Sequence, residues 1–323
     1  MLQSSSVNQE LIWLEPQKPE EIIEELIEKH QKTKFYCLFS GGKDSCSITN
    51  FIAKNYPKYF KGAIFTNTGI ATQATRNWVL GYCKAKGWPL NMTWARKSYY
   101  DIVMETGFPT MGGHRIIMGY LKFQSWYYFL RDFEMLDTAS LISGVRKKES
   151  MMRNKVKFYS KTPIDINANM TFCKPFLYKN ADQLYEYFIG NGLSASPVYE
   201  WDDKSGECRC GSQANPWELK LLEKNDPLTF NTIKWLEKKI QEKIPEIRKK
   251  IQELEIITTK TLHYKKKKNQ TELEKLHKQL DLLMERPVWG KSVGAEATEL
   301  QNTLEGFVPN EDYCGESCEV MAN

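Results

Sequence analysis

Four histidines in 323 residues are too few for histidine-rich metal chemistry. No apolar run approaches the roughly 18 residues that a membrane span requires. No early segment joins a basic stretch to an apolar core of signal-peptide length. A soluble, cytoplasmic protein with no membrane partner is therefore expected. The Gly-x4-Gly-Lys-Ser/Thr loop of Walker-type nucleotide enzymes does not occur. Cys-x2-Cys, the common spacing of zinc and cluster sites, is also missing. Eight cysteines spread over so long a chain do not make a small secreted disulfide framework. In a reducing compartment they are buried thiols, metal ligands or redox groups. No repeat of solenoid length is visible.

What is present describes a folded α/β protein. Hydrophobic residues make up 41% of the chain and nine are tryptophan, which excludes a disordered class. An apolar, strand-like run at residues 34–39 ends in Ser40-Gly41-Gly42-Lys43-Asp44-Ser45, and a helix-compatible run follows at 46–53. A strand feeding a glycine turn at a helix N-terminus makes an anion cradle, because backbone N–H groups and the helix dipole both favour negative charge there. The two glycines permit close backbone approach. Ser40 and Ser45 can donate to phosphate oxygens, and Lys43 adds a point charge. Asp44 would repel a phosphate unless a cation intervened, which suggests Mg2+. The plainer reading is a turn that merely joins strand to helix.

Further strands are expected at 61–66, 90–94 and 139–144, with helices at 19–31, 72–86 and 119–133. Strands alternating with helices imply a doubly wound parallel sheet whose ligands sit at the strands' carboxyl ends. A second phosphate-competent segment, Gly144-Val145-Arg146 through Glu149, Ser150 and Arg153, follows the strand at 139–142. Arginine forks suit phosphate or sulfate oxygens. Alone, this segment could be an ordinary solvated basic turn.

Beyond residue 216 the pattern becomes helical. Ile240, Ile244, Ile247, Ile251 and Leu254 form a heptad-like seam, and Leu273, Leu276, Leu280 and Leu283 form another. Pro245 is expected to kink or restart the first helix. Residues 264–270 are expected to separate the two. Such a hairpin can pack on itself or on a second subunit, which allows a homodimer. The formal charge of +5 sits here: residues 231–285 hold 14 Lys/Arg against nine Asp/Glu, and the rest balances. Attraction to tRNA or DNA is therefore expected at this hairpin, with residues 265–268 as a basic prong or, more plainly, a solvated turn.

Ser40–Ser45 and Gly-x-Arg-x-x-Glu-Ser-x-x-Arg together resemble the phosphoadenylylsulfate (PAPS) reductase family of the PP-loop ATP pyrophosphatase superfamily. Asn67-Thr68-Gly69 resembles that family's Asp-Thr-Gly, and Ser196-Pro197-Val198-Tyr199 its Asn-Pro-Leu-Tyr. The Cys208–Cys210 region resembles its glycine-cysteine turn. The likeness covers roughly residues 34–212. It implies an adenine nucleotide alpha-hydrolase-like fold, ATP or PAPS as nucleotide, and phosphate contacts that include Arg115 and Lys122. Departures are Asn67 for aspartate, Met118 where many relatives have cysteine, and a tail without the reductases' Glu-Cys-Gly-(Ile/Leu)-His.

Cys37, Cys46 and Cys83 read as buried thiols. Cys208, Cys210, Cys314 and Cys318 lie in glycine- and acid-bearing loops. They could share a Zn2+ or hold a [4Fe–4S] cluster, act as a redox disulfide or mobile nucleophile, or be unconnected. The resemblance adds that some thiolating relatives carry such a cluster. The expected organisation is an N-terminal extension and helix (1–31), a nucleotide domain (32–215), a helical region with a charged hairpin (216–300) and a cysteine tail (301–323). The favoured function is an ATP pyrophosphatase, with Lys43 and Asp44 catalytic, that passes sulfur to a nucleic acid and draws on a sulfur donor protein. The alternatives are a PAPS or adenylylsulfate reductase that attacks with Cys314 or Cys318 and uses a thiol reductant, and a non-catalytic nucleotide- or nucleic-acid-binding subunit.

Overall fold

A computed structural model of the chain describes residues 18–147, 157–161, 170–259 and 263–290. Six strands form one sheet: β1 (Lys34–Leu38), β2 (Phe60–Asn67), β3 (Leu90–Trp94), β4 (Ala139–Ile142), β5 (Tyr159–Lys161) and β6 (Thr171–Cys173). Their order is β3-β2-β1-β4-β6-β5, and every pair is parallel except β5 with β6 at the edge. From β1 the chain builds outward through β2 and β3, then crosses to place β4 on the other side of β1. The order thus reverses between β1 and β4, and ligands of open α/β sheets bind at the strands' carboxyl ends at such a reversal.

The central strands are apolar because both faces are covered. Phe35 and Cys37 of β1, Ile142 and Cys173 pack under α1 (Pro19–Glu28), α2 (Lys43–Asn55) and α7 (Ala181–Gly190). Alternate residues Tyr36, Leu141 and Phe172 face the opposite layer, where Phe123, Trp126 and Leu130 lie. Helix α3 (Gln73–Lys86) joins the α2 side: its Val79 and Cys83 pack on Ala63 and Phe65 of β2. It starts at Thr72, whose hydroxyl accepts from the Thr75 N–H, and ends at Gly87 in the left-handed region. Helix α4 (Tyr99–Thr106), capped by Ser98, and the short edge strand β5 carry weak local patterns and were not expected.

The opposite layer is one helical run with an interruption. Helix α5 (His114–Met118) passes through a π turn at Gly119–Phe123 into α6 (Gln124–Asp132). Past the sheet, α8 (Glu218–Asn225) precedes α9 (Pro227–Thr259) and α10 (His263–Glu285). The restart expected at Pro245 and the break expected at 264–270 are corrected here. Helix α9 runs unbroken through Pro245. The carbonyl that loses its N–H partner belongs to Gln241, which is exposed, so water can take the bond. Residues 264–270 lie inside α10 rather than between the helices, because a lysine-rich stretch without glycine or proline favours helix.

The two seams meet each other and also α4. Ile240, Ile247, Ile251, Leu273 and Leu283 share a core with Val103 and Met104 of α4, and with Ile70, Cys210 and Trp289. The hairpin therefore buttresses the loop that carries Cys208 and Cys210.

Candidate active site

Gly41 stands at φ +82°, a left-handed conformation that a side chain rarely adopts, and turns the chain from β1 into α2. Ser45 Oγ donates to the Gly42 carbonyl at 2.9 Å, and the Ser40 hydroxyl lies 3.2 Å from it. Gly42 caps α2 without a side-chain bond, so the helix's first N–H groups remain available for an anion. The Lys43 ammonium makes no ion pair or hydrogen bond among the described residues.

The second segment reaches the first. Arg146 Nε donates to Asp44 Oδ1 at 2.6 Å, with the arginine side chain 4% exposed and the aspartate 24%. Gly144 makes this approach possible: a Cβ there would fall 2.9 Å from the Asp44 carbonyl carbon and oxygen. Arg146 thus sets a positive charge on Asp44. Residues Glu149, Ser150 and Arg153 lie outside the described residues, as does the Arg115 side chain.

The loop at 203–212 closes the site from the other side. Thr68 Oγ1 donates to the Glu207 carbonyl at 3.1 Å, the Thr72 N–H to Gly206 at 2.8 Å, and the Arg209 N–H to the Ile70 carbonyl at 3.0 Å. Asn67, Thr68 and Gly69 therefore sit at the anchor of this loop and do not line the cavity beside the cradle. The 3-10 turn Pro197–Glu200 lies over the cradle: the Ser196 N–H donates to the Gly41 carbonyl at 2.8 Å, and Tyr199 Oη lies where a Gly42 side chain would project.

Between these walls lies a cavity of about 430 Å³. The cradle residues Ser40, Gly42–Ser45 and Gly144–Arg146 line it together with Cys208 and Cys210. The helical layer contributes His114, Met118, Lys122 and Trp126. In an α-helix four-residue steps drift by about 40° each, so four such residues would not stay on one face. The π turn, with more residues per turn, removes much of that drift and keeps the stripe aligned.

Lys122 does not stand free for phosphate. Its ammonium pairs with Glu207 at 2.5 Å; burial opposes its charge, but Glu207 and the neighbouring thiols hold its pKa above the usual lysine value. The thiols are unlike one another. Cys208 is raised well above the ordinary thiol range, first because it donates to Cys210 and then because it is buried. Cys210 is held well below that range by the bond from Cys208, aided against burial by His114 and Ser212. Ser212 Oγ bridges the two, 3.1 Å from Cys210 Sγ and 2.5 Å from His114 Nδ1. Arg209, between the cysteines, is fully buried; its Nη1 lies 2.5 Å from Asp202 and 2.7 Å from Glu218. The backbone around it is held by Tyr99 Oη to the Cys210 carbonyl at 2.7 Å and Trp289 Nε1 to the Arg209 carbonyl at 2.8 Å.

Cys37, Cys46, Cys83 and Cys173 are buried, and burial raises each thiol, Cys83 to about 12. Cys314 and Cys318 lie outside the described residues, so the proposed four-thiol set is seen only as Cys208 and Cys210. Among the described residues no group of three or more His, Cys, Asp or Glu side chains is placed to hold a metal. His114, Glu207 and Ser212 were not expected in the site; the four-residue spacing from His114 to Trp126 was the one sequence signal, and it requires the π turn to have meaning.

No protein-family model matches the chain, and no curated protein sequence matches it. Its structure resembles PAPS reductase from Candida auris, solved with phosphate, at TM-score 0.43 and 13% identity over 57% of this chain and 84% of that one. It also resembles Candida glabrata FMN adenylyltransferase, solved with FMN and an ATP analogue, at TM-score 0.40 and 13% identity over 57% and 58%. Yeast FAD synthetase, in complex with FAD, gives 0.37 and 12% over 58% and 65%. The chain spans less than two thirds of these last two proteins.

Proposed function

We propose that this protein is an adenine-nucleotide enzyme of sulfur chemistry, acting as an ATP pyrophosphatase that passes sulfur to a nucleic-acid acceptor. The observation that carries this reading is the meeting of an anion cradle and a poised thiol pair in one cavity. The α2 N-terminus, Ser40, Ser45 and Lys43 hold the β- and γ-phosphates. Arg146 exchanges its bond to Asp44 for one to an α-phosphate oxygen, which suits a guanidinium fork. Magnesium fits Asp44, a partly exposed carboxylate beside the phosphate position, since this ion takes one or two carboxylates and fills its shell with phosphate and water. When bound, it would neutralise charge on the departing pyrophosphate. Two described thiols are half of a tetrahedral set, so no step is assigned to zinc or a cluster.

An acceptor oxygen attacks the α-phosphorus, and the bond to pyrophosphate breaks. The cradle contributes positioning and charge neutralisation. Cys210, charged with a persulfide by a sulfur donor protein, then attacks the adenylated acceptor atom, and AMP leaves with the oxygen. The Cys208 thiol opens the resulting disulfide by attack on Cys210 Sγ, its proton passing to the departing acceptor thiolate. This releases the acceptor thiol and leaves Cys208–Cys210 oxidised for a thiol reductant to restore.

The Asp44–Arg146 pair also favours a second reading. A carboxylate already neutralised by arginine lets the cradle take PAPS or adenylyl sulfate without metal, as a reductase would. Pyrophosphate release from ATP separates the two. Asp44→Asn is expected to lower it at least 100-fold while calorimetry still shows ATP binding. Sulfite formation from PAPS with no pyrophosphate release from ATP would instead establish the reductase.

A further inference from the structure

The outer face of the helix that walls the cavity borders a second, open groove of about 510 Å³. Met118, Lys122 and Trp126 face the nucleotide cavity, whereas Tyr120 and Gln124 line this groove with Arg96, Lys97, Tyr100 and Lys243. Its edge carries large aromatic rings in solvent. Tyr100 and Trp235 are 41% and 48% exposed, with ring centroids 5.4 Å apart, and Tyr120 is 37% exposed. Trp235, Lys239 and Lys243 recur at four-residue steps along α9; Lys243 lines the groove, and Trp235 extends it by packing on Tyr100.

Cations accompany these rings. Lys97 lies 5.7 Å from the Tyr120 centroid and Lys239 6.0 Å from that of Trp235, while the Arg96 guanidinium lies 3.6 Å from the Tyr128 centroid. Of the two carboxylates that line the groove, Glu105 pairs with Lys97, and Asp101 accepts from the Ser98 hydroxyl at 2.6 Å and keeps its charge. Against these two the lining sets three cations, Arg96, Lys97 and Lys243, for a formal charge of +1, and beside it Glu242 pairs with Lys239 at 2.7 Å. Among the described residues Lys243 donates only to the Met104 carbonyl, at 3.2 Å, and no carboxylate there neutralises its charge.

We infer that this groove binds a single-stranded nucleic-acid segment, with bases stacked on Tyr100, Tyr120 and Trp235 and phosphates met by Arg96 and Lys243. Aromatic platforms beside a positive track are how sequence-tolerant single-strand binding works, whereas an apolar protein partner would leave these ammonium and guanidinium groups desolvated. The hairpin lysines 266–268 are exposed but stand on α10 roughly 18 Å from Gln279, whose side chain reaches the same Met104 carbonyl. They can add affinity to a long strand, not to a short one. The inference gives the proposed sulfur acceptor a place to dock and rests on that reading only for its purpose.

The test uses the full chain and fluorescein-labelled dT and rU oligomers of five and 20 nucleotides, read by anisotropy at 50 and 200 mM salt, with ATP binding measured separately. Single strands are expected to bind and to weaken with salt. Tyr100→Ala with Trp235→Ala should weaken both lengths at least tenfold, and Trp235→Phe should restore part of the loss. Lys243→Gln should lower the salt slope by about one. These rings are exposed, and unchanged thermal melting would show that the variants fold. Absence of single-strand binding, indifference to the aromatic substitutions, or loss only in a Lys266, Lys267, Lys268→Gln variant would overturn the inference. So would preference for an acidic protein. Binding of oligomers without any binding of ATP would sink the nucleotide reading and leave this one standing.

Discussion

Cys210 gains its character first from Cys208 on the same loop and then from His114, a residue far away in the chain. Cys208 and Ser212 are each two residues away, but His114 arrives from the helical layer, and Ser212 Oγ lies 2.5 Å from His114 Nδ1 and 3.1 Å from Cys210 Sγ. A lowered thiol pKa keeps the thiolate populated as pH falls, so Cys210 should react with iodoacetamide at neutral pH when an ordinary thiol, near 8.5, is mostly protonated. Peptide mass spectrometry should find label on Cys210 first and little on Cys37, Cys46, Cys83 or Cys173, whose burial raises them. His114→Ala should move the pH profile of labelling upward. An unchanged profile would mean that His114 does not act on the thiol. The strand, glycine turn and helix around Ser40–Ser45 were legible because they are local. The Asp44–Arg146 contact was not, because it joins residues 102 positions apart.

Among the elements, the parallel strands and sheet-covering helices were readable from their apolar periodicity. The helix at 114–132 was read only from 119 onward, since its π turn answers to packing rather than to propensity. Pro245 shows the converse: a strong local signal overridden by tertiary context. Ile240, Ile247 and Ile251 hold α9 against α4 and α10 on both sides of it. A proline inside a helix costs about 3 kcal/mol when nothing compensates. Pro245→Ala is therefore expected to stabilise the protein by about 1 to 3 kcal/mol, seen as a higher denaturation midpoint. A lower midpoint would show that the proline is needed where it stands.

At the scale of the molecule, one indole ties the hairpin to the thiol loop. Trp289 is 3% exposed; its N–H group on the ring holds the Arg209 carbonyl, and its backbone N–H donates to Glu237 of α9 at 3.1 Å. Trp289→Ala should cost about 3 to 5 kcal/mol in chemical denaturation and speed alkylation of Cys208 and Cys210. Trp289→Phe keeps most of the packing and should lose about 1 kcal/mol for the hydrogen bond. Equal labelling rates in all three proteins would break the link between hairpin and thiol loop.

The doubly wound sheet, the cradle at 40–45 and the presence of a helical pair were determined by the sequence itself, because strand and helix periods and a glycine turn are properties of neighbouring residues. Where those pieces meet was decided only by the tertiary structure. The reversal of strand order between β1 and β4 sets Arg146 on Asp44, and the hairpin's core sets the thiols beside the cradle. Such meetings depend on burial and charge pairing between segments far apart in the chain, and no local pattern carries that information.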